Sequence, residues 1–280
     1  MRTLVIVLAA GEGKDMHSFV NPSSKLSFCI LDKPMLCYVQ KRIHEISFDD
    51  EIYIIGYQAE QIKKMMGSES KFIYQKTLNG TYAALMLAKE FFYDYDDVVV
   101  IYGSMPLFSK DSLLQMMDQH RHNQNDITYV EGIFIFKSCI LCEHLKSDYT
   151  SCVEIKQWID LMKKDGKNVQ KIELSDADET LIVKNRLDLA KANKIMQQKV
   201  NRMHMINGIT IVDPNTTYIG EDVKIGNDTI IYPNTYIYGK SMIGVSCELG
   251  PNTTIIDSFI DNGAILSNCI VKHQTVAKKS

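Results

Sequence analysis

The C-terminal quarter of the chain carries the feature that most restricts its fold. From Ile219 an aliphatic residue returns at every sixth position, through Ile225, Ile231, Ile237, Ile243 and Leu249 to Ile255. Four places after most of them stands a small or polar residue, at Val223, Thr229, Thr235, Ser241, Cys247 and Thr253. An ordinary amphipathic strand or helix does not hold one phase of six over such a length. A left-handed parallel β-helix does, because three short strands make one triangular coil and equivalent inward positions stack into an aliphatic column. One slip of phase separates Ile255 from Ile260, after which Leu266 resumes the six-residue step. Roughly four coils fit between residue 205 and the end.

Upstream, strand and helix patterns alternate, which predicts a Rossmann-like α/β domain with a parallel sheet covered on both faces. The strands are expected at 3–9, 51–56, 71–74, 98–102, 127–136 and 169–172, and the helices at 35–46, 58–66, 81–91, 110–124, 153–165 and 181–199. The 280 residues fall where a single core stops growing, at roughly 250 to 300. Two domains are therefore expected, the α/β domain over 1–200 and the β-helix over 205–280.

Charge narrows the partners. With 31 basic against 34 acidic side chains and a net charge of -3, the chain offers no general attraction to nucleic acid or to anionic membranes. No local basic patch is read beyond Lys278-Lys279. The apolar run Leu4–Ala10 after Arg2 is too short to cross a bilayer and has no cleavage region after it. It leads straight into Gly11-Glu12-Gly13, so it reads as the first strand. Seven scattered cysteines suit free thiols in a reducing compartment, and the cytoplasm is expected. Cys139 and Cys142 form a CxxC near His144 and Cys152, but no second pair completes a zinc set, so burial in the apolar stretch 133–145 is the expectation.

The stretch from Leu8 to Met16 places two glycines after a buried strand, where backbone N–H groups can cradle an anion. Alone, such a turn is structural as often as functional. Further elements follow it in order: Lys25 in a loop after Pro22, Tyr74-Gln75, Gly80-Thr81 opening a helix, and Tyr102-Gly103-Ser104-Met105-Pro106-Leu107 ending an aliphatic strand.

On these motifs the chain resembles the bifunctional bacterial N-acetylglucosamine-1-phosphate uridyltransferase/glucosamine-1-phosphate N-acetyltransferase family. The resemblance also includes Asp32-Lys33-Pro34-Met35, Asn185-Arg186-Leu187 and the start of the repeat region at Asn207-Gly208. It implies a nucleotidyltransferase in which a sugar phosphate attacks the α-phosphorus of UTP and pyrophosphate leaves, with Mg2+ as cofactor. It implies that Leu8, Ala9, Ala10, Gly11 and Gly13 approach the nucleotide, that Gln75 and Gly80 read the uracil edge with Thr81 beside them, and that Tyr102 and Gly103 face the sugar nucleotide. Lys25 is the candidate catalytic cation on phosphate, or else a solvated loop lysine. UTP or a UDP-sugar is the implied ligand, and a homotrimer through the β-helix the implied assembly.

Departures from the family pattern are specific. Lys14-Asp15 stands where the family has Thr-Arg, so a carboxylate replaces a phosphate-binding guanidinium. The two family metal positions are Ser104 and Lys184 here, neither a ligand suited to a hard cation. Asp96 and Asp97 precede their strand and so lie at its wrong end, about 15 to 20 Å away. Only about twenty residues separate Leu107 from Tyr129, where the family inserts its sugar-binding loop. Glu131 reads as a rim carboxylate, His120-Arg121-His122 as a solvated helix terminus and His273 as an exposed coil residue. The repeat stops before the region that holds the family's catalytic histidine and acetyl-CoA contacts, so no acetyl transfer is expected. Three readings stand: an active uridylyltransferase, an inactive binder of uridine nucleotide or UDP-sugar, and a trimeric scaffold.

Overall fold

The computed structural model describes residues 1–18, 20, 23–67, 69–144 and 154–277. Pro22, Cys152, the His144 side chain, the first residue of the helix expected at 153–165 and the Lys278-Lys279 pair lie outside the described residues. The chain divides into two compact units, one of Met1–Phe28 with Pro34–Leu189, the other of Cys29–Lys33 with Ala190–Ser280.

The first unit is built on a seven-stranded sheet: β1 (Thr3–Ala9), β2 (Asp50–Ile55), β3 (Lys71–Tyr74), β4 (Asp97–Tyr102), β5 (Ile127–Val130), β6 (Ile133–Lys137) and β7 (Val169–Lys171). The order across it is β3-β2-β1-β4-β6-β5-β7. β1 is central and buried at all but one position, as its unbroken aliphatic run requires of a parallel strand covered on both faces. Its register sets Ala9 beside Ile55 of β2 and Leu8 beside Tyr102 of β4, so three strands end at one level. The glycine turn emerges there.

One expected strand is two. Apolar runs flank Glu131 and Gly132, and Gly132 takes φ 88° and turns the chain back, so β5 and β6 pair antiparallel. A Cβ at this position would stand 2.5 Å from the Met105 sulfur, so the turn has room only for glycine. β6 is antiparallel to β4 as well, and the sheet is mixed rather than wholly parallel.

The helices are α1 (Met35–Ile46), α2 (Ala59–Met66), α3 (Thr81–Met86), α4 (Lys110–His122), α5 (Ser138–His144), α6 (Ile155–Lys164) and α7 (Arg186–Ile206). On α6 the buried residues Ile155, Trp158, Ile159 and Met162 follow helical spacing, and Trp158 packs 5.7 Å from Tyr82 and 5.5 Å from Phe136 between ring centroids. α7 starts five residues later than the pattern predicts. The Asn185 side chain accepts the N–H groups of Leu187 and Asp188, and Asp188 returns the contact to the N–H groups of Lys184 and Asn185. This reciprocal cap fixes the helix start and leaves 181–184 extended.

His120 corrects the solvated-terminus expectation. Leu113, Met116, Met117 and His120 share the buried face of α4, and His120 is only 1% exposed, while His122 is exposed as expected. Cys139 likewise differs from the burial expected: it is exposed and Cys142 half-buried, because α5 turns Ile140 and Leu141 inward instead.

The second unit is a left-handed parallel β-helix of three four-stranded ladders. Ile219, Ile237, Ile255 and Val271 stand in register on one ladder, Ile225, Ile243, Ile260 and Val276 on another, and Ile211, Ile231, Leu249 and Leu266 on the third. The step from Ile255 to Ile260 is five residues rather than six, and so are the steps from Leu266 to Val271 and from Val271 to Val276, so the single slip read from the sequence is one of three. Asp228, Asn234, Ser246, Asn252 and Asn268 adopt left-handed backbone at positions that short polar side chains tolerate. The small residues between strands face inward with their hydroxyls bonded to backbone carbonyls, as Thr235 to Tyr232 and Ser241 to Tyr238, both at 2.7 Å. His273 is exposed, 3.9 Å from Asp257. The short stretch 29–33 belongs to this unit, where Asp32 accepts the Gly239 N–H at 2.7 Å and Lys33 pairs with Asp222.

Candidate nucleotide cleft

A cleft of about 860 Å3 opens at the ends of β1 and β4. Leu8, Ala9, Ala10, Gly11 and Gly13 form one wall. Lys25, Gln75, Gly80, Thr81 and Tyr102 also line it. Ser104 and Lys184 complete this set of sequence-selected positions. Gly103 lies outside the lining. Its N–H donates to the Leu8 carbonyl at 3.0 Å, and a Cβ would press on Leu26 and Leu36 at 3.0 and 3.1 Å, so its smallness serves packing beneath the cleft.

The glycine turn has a mechanical logic. Gly13 takes φ 66°, and a Cβ there would stand 2.7 Å from the Cβ of Lys25. Bare backbone at 13 is therefore what lets the Lys25 stem lie against the turn. Gly11 has no atom within 4 Å of a Cβ, so its open side is free for a ligand. Met16, 1% exposed, anchors the far side of the turn, and its carbonyl accepts Arg186 Nε at 3.0 Å.

Burial lowers the proton affinity of the Lys25 ammonium, opposed by Asp15, reinforced by Lys184 and opposed again by Asp188. Lys14 is less available to an anion, since it pairs with Glu12 at 3.2 Å. The Gln75 side chain is buried and donates to Asn79 Oδ1 and the Gly80 carbonyl at 3.2 and 3.3 Å, which fixes its orientation. Burial pushes the Tyr102 phenol up to about 12, so it is neutral and packs 5.6 Å from Phe134.

Apart from Glu131, the opposite wall was missed by motif reading. Glu154, Gln157 and Asp160 around α6 line it, together with Glu131 of the β5–β6 turn and Lys156, which pair at 3.6 Å. These residues belong to no spaced motif, and only the hairpin at Gly132 and the packing of Trp158 bring them to the cleft.

The two family metal positions do meet in space. The Val183 N–H donates to the Ser104 carbonyl at 2.8 Å, placing Lys184 one residue from that contact. The donors offered are a hydroxyl and an ammonium, and among the described residues no group of three or more His, Cys, Asp or Glu could hold a metal ion. A resident Mg2+ does not fit this donor set. Asp97 is far from the cleft in role: it pairs with Arg121 Nε at 2.8 Å at the start of β4. Among the described residues no helix is long and apolar enough to cross a membrane.

Sheet, glycine turn and cleft together define a nucleotidyltransferase-type domain. The chain belongs to the MobA-like NTP transferase domain family, matched over residues 5–145, and within it to the family of the bifunctional protein GlmU. It is similar to the Bifunctional protein GlmU of Enterococcus faecalis, 30% identical over 97% of this chain and 69% of that protein. To that of Caldanaerobacter subterraneus it is 28% identical over 97% of this chain and 68% of that protein. The latter alignment takes 316 positions, more than the 280 residues of this chain, so the relative carries internal residues that this chain lacks. Among solved structures, a nucleotidyl transferase from Methanothermobacter thermautotroptrophicus matches with TM-score 0.59 at 16% identity, over 71% of this chain and 99% of that one. A putative glucose-1-phosphate thymidylyltransferase from Bacillus anthracis matches with TM-score 0.55 at 19% identity, over 69% and 94%. Both are likenesses of fold.

Proposed function

We propose that the α/β unit receives a uridine nucleotide or UDP-sugar in the cleft, and that its uridylyl transfer from UTP to a sugar 1-phosphate is weak or lost. The observation that carries the reading is the mixed character of one cleft. Its nucleotide end has the glycine turn, an oriented Gln75 and Lys25, whereas its metal end has Ser104 beside Lys184. Losing one preorganised charge at a phosphoryl-transfer site costs about 100-fold or more in rate, and losses on one transition state compound.

UTP or UDP-N-acetylglucosamine should raise the melting temperature, since a ligand bound only by the folded state stabilises it by about 2.7 kcal/mol at a hundred times its Kd. Pyrophosphate release from UTP, Mg2+ and N-acetylglucosamine-1-phosphate should stay near the buffer rate over hours. Brisk release would overturn the impairment; a flat melting temperature at saturating nucleotide would overturn the whole reading. Reversion of Asp15→Arg with Ser104→Asp should raise release if charge at the phosphates is what limits turnover. A homotrimer through the β-helix belongs to the same proposal. Ile265 and Ile270 are 72% and 70% exposed on it, and light scattering on the full chain tests this.

A further inference from the structure

The cleft carries lysines on its glycine-turn side and Glu131, Glu154 and Asp160 on the opposite wall. Lys25 and Lys184 both line it, near enough that the Lys184 charge disfavours the Lys25 ammonium, and Lys25 is already partly stripped of water. Glu12 pairs with Lys14 at 3.2 Å, and Asp188 Oδ2 accepts two backbone N–H groups at 2.9 and 3.2 Å while its charge also acts on Lys25. Asp15, exposed on the turn, acts on Lys25 as well. A divalent cation entering here meets two ammonium groups and the Ser104 hydroxyl. A polyphosphate entering here relieves the repulsion between the two ammonium groups.

Resting on the nucleotide reading above, we infer that Lys184, together with Lys25, takes the place of a divalent cation, so that this cleft binds a nucleoside polyphosphate in its metal-free form. Lys184 is exposed on the extended stretch before α7, and the Asn185 and Asp188 cap holds its backbone. Its charge is thus delivered from a fixed point on a long side chain. Because Val183 is bonded to the Ser104 carbonyl, that fixed point sits beside the end of β4. The cation is covalently part of the chain and its binding costs no dehydration of a metal ion.

The test is calorimetric titration of the full-length chain with UTP, once in EDTA and once in excess Mg2+. Wild type should bind about threefold or more tightly in EDTA, because the metal complex of UTP carries less negative charge toward the lysines. Lys184→Ala should weaken binding in EDTA by about tenfold, the scale of one charge-assisted contact, and affect the Mg2+ titration less. The double variant Ser104→Asp with Lys184→Asn should reverse the preference toward Mg2+. Wild-type binding that is tighter in Mg2+ overturns the inference and leaves the nucleotide reading standing. Absence of UTP binding in both solutions overturns the nucleotide reading and the inference with it.

Discussion

Thr81 donates its hydroxyl to Glu154 Oε2 at 2.6 Å and accepts the backbone N–H of Ile155 at 3.0 Å. One side chain thereby ties the first turn of α3 to the first turn of α6, across 73 positions of sequence. Its motif position suggests a ligand contact, yet both of its hydrogen-bonding roles are filled by the protein.

Thr81→Val should therefore act on stability before binding. It keeps the shape and removes both bonds, leaving an N–H of the α6 start without its acceptor, at a cost of about 1 to 3 kcal/mol. The melting temperature should fall while the nucleotide-induced rise persists. An unchanged melting temperature with a lost nucleotide response would return Thr81 to the ligand.

The two glycines of the turn should separate fold from function. Gly11→Ala meets no atom within 4 Å, so the free protein should melt as wild type while the rise given by UTP shrinks, because a methyl group occupies the open side. Gly13→Ala is strained by its φ of 66° and pressed on the Lys25 stem, so it should lower the melting temperature without ligand. Equal melting temperatures for the two free variants would contradict this division.

His120 gives stability a pH dependence of definite sign. Burial pushes its imidazole down to about 4, against the pull of Asp97 and Asp126 and with Lys137 and Arg121 acting alongside burial. Between about pH 6.5 and 4 the unfolded chain binds a proton that the folded chain refuses. Stability held above that window is lost as pH falls through it. In urea unfolding, His120→Asn should lose less stability than wild type across this range; parallel pH profiles would exclude the role.

Much of this was legible in the sequence, and most of the exceptions share a cause. The β-helix register was readable because one inward residue per strand repeats at a fixed step, and the cleft wall from Leu8 to Gly13 because a glycine turn after a buried strand is local. The split of 127–136 was not read, although Glu131 and Gly132 break the apolar run between Val130 and Ile133. Nor was the start of α7, which a side-chain cap at Asn185 decides rather than periodicity. The α6 carboxylates reach the cleft only through the packing of Trp158, and the burial of His120 depends on which face of α4 the sheet covers. Local pattern carried the first group and tertiary contact the second.

In the β-helix, Asp32 and Gly220 should be energetically coupled. A Cβ on Gly220 would stand 2.5 Å from Asp32 Oδ2, the atom that also accepts the Gly239 N–H. Asp32→Ala and Gly220→Ala should each destabilise the unit by about 1 to 3 kcal/mol. Together they should cost less than their sum, by about 1 kcal/mol or more, because removing the carboxylate makes room for the methyl group. Strict additivity in denaturant midpoints would show that Asp32 does not limit position 220.

That carboxylate also decides how the chain can be cut. The second unit takes in 29–33 as well as the residues from Ala190 onward, so cleavage after Leu189 does not release it whole. The fragment would keep every coil and lose the partners of Gly239 and Asp222. The coil stack is not a cassette that can be transplanted as one continuous segment; a faithful graft must bring the five residues 29–33 with it.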